Sequence, residues 1–199
     1  MMHLDQDAGL GQALRKFKPL RGKRVALLDA EGFDRARLET LTEAYELAGA
    51  EVVLVAPAEE LTDARGERII AQIAVSNTAA EVYHALCVPG SAAAIARLRD
   101  STDACEFVRS FVQNGKWVAL LDHGPLLLES TGVSAGRTLT SDPALQAELE
   151  HTGARWTSEP LISDQQLITA QGDAQLEAFL RVSSLSFQEK PSEPPPGYH

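Results

Sequence analysis

Basic residues, cysteines and long apolar runs are all scarce in this sequence. Its 18 Lys and Arg stand against 28 Asp and Glu, a formal net charge of −10, which argues against nucleic acid or an anionic membrane as the main partner. No segment approaches the roughly 18 consecutive apolar residues that a membrane-spanning helix needs. The first residues, MMHLDQDAGLGQ, lack the apolar core of a signal peptide. We therefore expect a cytoplasmic protein with no membrane partner.

The two cysteines, Cys87 and Cys105, do not have the spacing of a metal site or a redox motif. Cys87 lies in an apolar run and Cys105 in a helical pattern, and free cysteine is among the most buried residue types. We expect both to be unreactive packing residues. The sequence also has no glycine-rich phosphate loop and no HExxH-type metal motif, so the motifs predict no cofactor.

Apolar runs alternate with helical patterns through most of the 199 residues, a length sufficient for one well-buried α/β domain. Continuous apolar runs that end at proline, glycine or a polar residue are typical of buried parallel strands. Strands are predicted over residues 24–29, 51–56, 85–88 and 117–121, and helices over residues 35–48, 102–114, 123–130 and 173–185. This alternation predicts a flavodoxin-like three-layer α/β sandwich, with a mostly parallel central sheet and helices on both faces.

Segments of different composition flank this domain, which is predicted to span residues 22–187. Residues 1–21 form an N-terminal extension with a short predicted helix, in which Leu10, Leu14 and Phe17 share one face. We expect that face to pack on the domain or on another subunit. Residues 188–199 are rich in proline and poor in apolar side chains, a composition that predicts a disordered tail.

The most informative stretch is WVALLDHGPLLL, residues 117–128. A buried strand stops abruptly at a polar residue, Asp122, and a Gly-Pro pair precedes the next apolar run. This is the layout of a nucleophile elbow, in which a sharp turn raises one side chain above the carboxyl end of a strand. Ligands bind at that edge of a parallel sheet. The raised side chain would be Asp122.

Four stretches resemble one known family. They are GKRVALLDAEGFDRARL (residues 22–38), ALCVPGS (85–91), KWVALLDHGPLLLESTGV (116–133) and GRTLTSDPALQAELEHTGARW (136–156). Together, and in this order, they resemble the ThiJ/PfpI superfamily, which has the class I glutamine-amidotransferase-like fold. The most specific parts are the HGP after the strand and the VPG before a run of small residues. The resemblance covers about residues 22–185, almost the whole predicted domain.

The resemblance implies a particular thiol chemistry in active members of the family. Their elbow residue is a cysteine, in a pattern like AxCHGP, and a glutamate in the first loop hydrogen-bonds the thiol. Backbone N–H groups of a PGG turn and of the residue after the cysteine form an oxyanion site. In the PfpI branch, an acidic residue after that turn orients the histidine beside the cysteine.

At the catalytic positions this sequence departs from the family pattern. Asp122 stands in place of the cysteine, and Asp34 in place of the loop glutamate. Ser91 replaces the second glycine of the turn, and Ile95 replaces the acidic residue, so we expect the histidine to lack its acidic partner. The positions that keep the family identity are Pro89, Gly90, His123, Gly124 and Pro125.

These replacements favour a non-catalytic binding, stress-related or assembly module, because a carboxylate is a far weaker nucleophile than a thiolate. The chain is similar in this respect to the C-terminal domain of large-subunit catalases, which shares the fold, lacks the Cys–His pair and serves assembly. No thiol-dependent protease, deglycase or glyoxalase activity is expected. Family members usually form dimers or larger oligomers, so the resemblance also implies a homo-oligomer.

Two alternatives remain open at the level of sequence. In the first, Asp34 and Asp122 lie close together and share a proton, and with His123 they form an acid–base or metal site of a hydrolase or lyase. In the second, Asp122 is a permanent equivalent of the cysteine sulfinate of an oxidised sensor. Further candidates for a ligand-binding role are Glu31, Gly90, Ser91 and Gly124.

Overall fold

The computed structural model describes residues 9–191. Residues 1–8 and 192–199, which include most of the predicted tail, lie outside the described residues. The strands are β1 (Arg24–Leu28), β2 (Glu51–Ala56), β3 (Glu60–Thr62), β4 (Arg68–Ile70), β5 (Ile73–Ala74), β6 (Ala85–Val88), β7 (Trp117–Leu121), β8 (Thr138–Leu139), β9 (Arg155–Trp156), β10 (Leu161–Asp164) and β11 (Leu167–Ala170). The helices are α1 (Leu10–Phe17), α2 (Arg35–Leu47), α3 (Ala92–Arg99), α4 (Thr102–Gln113), α5 (Leu126–Thr131), α6 (Gln146–His151) and α7 (Leu176–Ser186).

Seven strands form the central sheet, in the order β10-β11-β7-β6-β1-β2-β5. All neighbours are parallel except the edge pair β10–β11. Helix α2 contacts both α1 and α7, and α3, α4 and α5 form a second group. The flavodoxin-like α/β fold is therefore confirmed. Strands β7 and β6 lie near the middle of the sheet, so the turns that follow them meet at its centre.

The inner strands are buried along almost their whole length, because helices cover both faces of the sheet. Helix starts are fixed by side-chain caps: Asp34 accepts a hydrogen bond from the N–H of Arg37 at the start of α2. Ser91 and Ser101 cap α3 and α4 in the same way. Such caps satisfy backbone N–H groups that the first turn of a helix leaves without partners.

Two predicted elements differ in the structure. The predicted helix over residues 123–130 starts only at Leu126, because the chain first makes a tight turn after β7. In α1, Leu10 and Leu14 are buried, whereas Phe17 is 72% exposed and does not pack with them on the domain. No helix among residues 9–191 has the length and apolar character needed to span a bilayer.

Candidate functional site

The turn after β7, residues 122–125, is here called the elbow. Asp122 has a φ of 59°, the left-handed conformation that non-glycine residues seldom adopt. Hydrogen bonds hold the turn on both sides: the N–H of Asp122 donates to Ala170 O (2.9 Å), and the N–H of His123 donates to Gly90 O (3.1 Å). The strained turn therefore raises the Asp122 side chain at the carboxyl end of β7, as the sequence pattern predicts.

Close backbone packing explains why glycine occupies two positions around the elbow. Gly90 has a φ of +87°, and a Cβ there would lie 1.7 Å from the carbonyl oxygen of Leu121. At Gly124, a Cβ would lie 2.9 Å from the same oxygen. The turns after β6 and β7 thus touch through their backbones, and Gly90 and Gly124 support the site by their lack of a side chain.

The Asp122 carboxylate is held by two side chains. Its Oδ2 accepts a hydrogen bond from Nη1 of Arg37 at 2.9 Å, and its Oδ1 lies 2.9 Å from Nδ1 of His123. The side chains of Asp122 and Arg37 are only 17% and 8% exposed. A paired charge at this depth is weakly screened by solvent, so the position and orientation of the carboxylate are fixed.

Arg37 links the elbow to two other parts of the fold. Its Nη1 also donates to Pro89 O at 3.0 Å, and its Nε donates to Oδ1 of Asp173 at 2.8 Å. Burial disfavours the charged guanidinium, but the hydrogen bonds to Asp173 and Asp122 outweigh this effect and raise the pKa of Arg37. Arg37 was not among the predicted site residues, yet it forms the ion pair of the elbow carboxylate.

His123 has a carboxylate partner, although not from residue 95, where the family pattern places the acidic residue. Ile95, at the family's acidic position, is buried in the core and offers no hydrogen bond. Instead, the neighbouring Asp122 carboxylate contacts the imidazole. The Asp122 carboxylate thus gives His123 an acidic partner that the side chain of Ile95 cannot provide.

Three other predicted residues take part in local hydrogen bonds. Asp34 caps α2, as described above. Oε2 of Glu31 accepts a hydrogen bond from the N–H of Thr62 at 2.7 Å and so ties the first loop to β3. Oγ of Ser91 donates to Gly32 O at 3.1 Å. Among the described residues, the Asp122 carboxylate makes no hydrogen bond with Asp34; the two predicted members that touch are Asp122 and His123.

A different carboxylate approaches the elbow from the segment after β8. The N–H of Asp142 donates to Asp122 O at 3.3 Å. Potential ligand atoms of Asp122, His123 and Asp142 lie within 4.8 Å of one another. Oδ1 of Asp142 also accepts a hydrogen bond from the N–H of Ala144 at 2.8 Å. A cation at the elbow would therefore have Asp142, in place of the predicted Asp34, as its third ligand.

A more deeply buried acidic residue, Asp29, directly follows β1. Asp29 is 1% exposed; its Oδ1 accepts a hydrogen bond from the N–H of Ala30, and its Oδ2 has no partner. Burial raises the pKa of the Asp29 carboxyl to about 7, against the lowering effects of the Ala30 N–H and the Arg37 charge. The carboxyl is therefore largely protonated in mildly acidic solution.

Both cysteines are buried, in agreement with the sequence analysis. Burial raises the pKa of the Cys87 thiol to about 12, with a smaller contribution in the same direction from Asp29. Burial also raises the pKa of Cys105. Because the thiolate is the reactive form of cysteine, neither thiol is suited to nucleophilic attack at neutral pH.

Comparison with known proteins gives a consistent result for fold and ancestry. The protein named "Putative cysteine protease YraA" from Bacillus subtilis is 29% identical over 163 residues, which are 81% of this chain and 96% of that protein. Schizosaccharomyces pombe DJ-1 superposes with a TM-score of 0.70 at 20% identity, covering 79% of this chain and 87% of that one.

A two-domain protein from Anabaena variabilis, with DJ-1/ThiJ/PfpI-like and ferritin-like domains, superposes with a TM-score of 0.77 at 25% identity. The match covers 89% of this chain but 54% of that protein, so this chain spans about half its length. The model of the DJ-1/PfpI family matches residues 23–184, from just before β1 to the last turn of α7. The chain belongs to the DJ-1/PfpI family.

Proposed function

We propose that this chain is a non-catalytic member of the DJ-1/PfpI family, a binding or assembly module that forms homo-oligomers. The observation that carries the proposal is the ion pair between Asp122 and Arg37, with 2.9 Å between Oδ2 and Nη1. The residue at the tip of the elbow is thereby a fixed anion and not an activated nucleophile.

The chemistry of the elbow supports this proposal. Each oxygen of Asp122 has one hydrogen-bond partner, Arg37 or His123, and these two contacts hold the carboxylate in one orientation. An ion pair with a guanidinium also stabilises the carboxylate and lowers its nucleophilicity further. The name of the Bacillus relative denotes a protease that uses a cysteine, and the two thiols of this chain, Cys87 and Cys105, are buried.

The ion pair between Asp122 and Arg37 also favours a second candidate function. In it, the chain acts as a sensor protein that is permanently in the state of an oxidised cysteine. A cysteine sulfinate at the elbow would carry one negative charge and accept hydrogen bonds, as Asp122 does. Arg37 gives such an anion a fixed partner of opposite charge. The acid–base alternative is less favoured, because the Asp34 carboxylate caps a helix and does not pair with Asp122.

Activity measurements test the proposal directly. We expect the wild-type chain to turn over neither methylglyoxal nor a peptide amide above the rate measured with the Asp122→Asn variant. Asparagine tolerates the left-handed conformation that this position requires, so the variant keeps the turn and removes only the charge. Turnover by the wild-type chain that Asp122→Asn abolishes would contradict the non-catalytic assignment.

The ion pair itself is expected to stabilise the fold. Arg37→Met keeps much of the apolar stem but leaves the Asp122 carboxylate without its cation, so we expect a loss of about 3 kcal/mol in the free energy of unfolding at pH 7. Arg181→Met is the matched control, because Arg181 pairs with Glu177 on the surface, where both side chains are well exposed; its expected cost is below about 1 kcal/mol.

Urea denaturation of both variants measures this difference. In a double-mutant cycle with Asp122→Asn, the loss caused by Arg37→Met should shrink by at least about 1 kcal/mol, because the buried partner is then uncharged. Equal losses for Arg37→Met and Arg181→Met, or additive effects in the cycle, would contradict the role given to the pair.

A further inference from the structure

An apolar groove lies between the first and last helices of the described chain, outside the family site. It has a volume of about 530 Å³. Leu10 and Leu14 form its floor and are buried, whereas Phe17 of α1 and Leu185 of α7 are 72% and 57% exposed on its walls. Only four large hydrophobic side chains among residues 9–191 are exposed, and these two share one groove. Adjacent exposed apolar side chains of this kind mark interaction surfaces.

The groove lies beside the most basic part of an acidic chain. Residues 9–28 contain six Lys and Arg and no Asp or Glu, although the whole chain has a net charge of −10. Lys16, Lys18 and Arg21 are exposed, and Nζ of Lys16 lies 5.3 Å from the centre of the Phe17 ring. Arg181, which also lines the groove, pairs with Glu177. This surface therefore complements carboxylates that flank an apolar ridge.

The dimensions of the groove fit a short helical segment. With a rise of about 1.5 Å per residue, α1 and α7 are about 12 and 16 Å long. Three apolar anchors at positions i, i+4 and i+7 of a partner helix span about 10 Å. Such a helix could place its ridge between Phe17 and Leu185 and direct flanking carboxylates toward the basic residues of α1.

Two other kinds of occupant fit the charges less well. In a twofold dimer the same patch lies on both subunits, so Lys16 and Lys18 of one copy would approach those of the other. A membrane-surface helix needs a continuous apolar face for insertion. In α1, Leu10 and Leu14 are buried against the domain, so Phe17 is the one large apolar side chain of this helix that is exposed.

We propose that the groove between α1 and α7 is a docking site for an amphipathic helix of another protein, with an apolar ridge flanked by Asp or Glu. The apolar walls would provide affinity and the exposed cations would select the acidic flanks. This inference does not depend on the function proposed for the elbow.

The probe is a fluorescein-labelled helical peptide with leucines at i, i+4 and i+7 and glutamates on both flanks. Its twin has lysine at every glutamate position. We expect saturable binding of the acidic peptide in fluorescence anisotropy, at least tenfold tighter than binding of the twin, and weaker binding as salt is raised. Phe17→Ala and Lys16→Glu should each weaken binding at least fivefold. Ile70→Ala is the matched control, because Ile70 is 70% exposed outside this groove; it should leave binding unchanged.

Several results would overturn the proposal. They are equal binding of the two peptides, absence of saturable binding, and equal effects of Phe17→Ala and Ile70→Ala. Sedimentation velocity adds another test: if Phe17→Ala dissociates an oligomer of the wild-type chain, the groove belongs to self-association. If deletion of residues 1–8 or 192–199 strengthens peptide binding severalfold, a terminus of the chain itself occupies the groove. Circular dichroism checks that each variant keeps the wild-type fold.

Discussion

Gly90→Ala is expected to abolish stable folding, with a loss of more than about 4 kcal/mol in the free energy of unfolding. Its Cβ would lie 1.7 Å from Leu121 O and 3.0 Å from Gly124 N, and both of these are backbone atoms that cannot rotate away. The turns after β6 and β7 would have to separate, which would break the hydrogen bond from the His123 N–H to Gly90 O. A loss of this size is a large fraction of the stability of a typical domain.

A series of glycine variants separates this clash from backbone strain. Gly66 has the same φ of +87° as Gly90, but nothing lies within 4 Å of its added Cβ. Gly66→Ala should therefore cost only the left-handed conformation, about 1 kcal/mol. Gly124→Ala should fall between the two, because its Cβ would lie 2.9 Å from Leu121 O.

Soluble yield, circular dichroism and urea midpoints measure the order of the series. The loss of stability is expected to be smallest for Gly66→Ala, larger for Gly124→Ala and largest for Gly90→Ala. If Gly66→Ala and Gly90→Ala lose the same stability, the positive φ alone explains the preference for glycine at residue 90, and the packing of the two turns is not the reason.

Three of the four strands predicted from sequence have their correct limits, and the fourth, predicted over residues 24–29, ends one residue earlier, at Leu28. The structure has strands at residues 51–56, 85–88 and 117–121, as predicted. In each, the apolar run stops before a residue that is unsuited to a buried strand: Pro57, Pro89 or Asp122. The limits follow from local chemistry, because proline cannot donate a ladder hydrogen bond and a charged side chain is costly inside a sheet. The position of the elbow follows from the same break.

The contact between Arg37 and Asp122 could not be predicted in this way, because the two residues are 85 positions apart in sequence. Comparison with the family pattern drew attention to Asp34, whose carboxylate caps the helix, and passed over Arg37 in its first turn. One signal was present: Arg37 lies in register with Leu41, Ala44 and Ala48 on the buried face of the helix. A buried arginine requires an anionic partner, although periodicity does not say which one.

At Phe17, helical spacing predicted a position on the same packed face as Leu10 and Leu14, and the structure differs. The helix ends at Phe17, and Lys18 adopts the left-handed conformation with a φ of 42°. The last residue of the helix therefore projects beyond the domain surface. Periodicity assigns residues to a face of a helix, but how far the domain extends beneath that face depends on tertiary packing.

Asp29 is expected to make the fold less stable as the pH rises from about 4 to 7. The pKa of this carboxyl is raised by burial to about 7 in the fold, whereas an exposed aspartate has a pKa of about 3.9. Between these values the folded chain binds a proton that the unfolded chain has released. Stability should therefore fall by up to about 1.4 kcal/mol per pH unit, about 4 kcal/mol in total, and this contribution should be constant above pH 7.

The charged and titratable groups that act on Asp29 set the size of this effect. The guanidinium of Arg37 lowers the pKa of Asp29, and the carboxylate of Asp34 raises it by a smaller amount. Cys87 interacts electrostatically with Asp29, but burial keeps its thiol protonated throughout this pH range. The burial of Asp29, with its unpartnered Oδ2, outweighs the attraction to Arg37, so the sign of the pH dependence is determined by desolvation.

Asp29→Asn provides the control, because it has nearly the same shape and does not titrate. Urea unfolding of both proteins at pH 4.5, 5.5, 6.5 and 7.5 would give the difference in free energy, from which the contributions of the other carboxyls largely cancel. The wild-type chain should lose stability relative to the variant with each step up to about pH 7. A difference that is independent of pH, or an NMR titration of the Asp29 side chain near pH 4, would mean that the carboxyl is ionised in the fold. Desolvation would then be offset by Arg37, which would have to neutralise Asp29 in addition to Asp122 and Asp173.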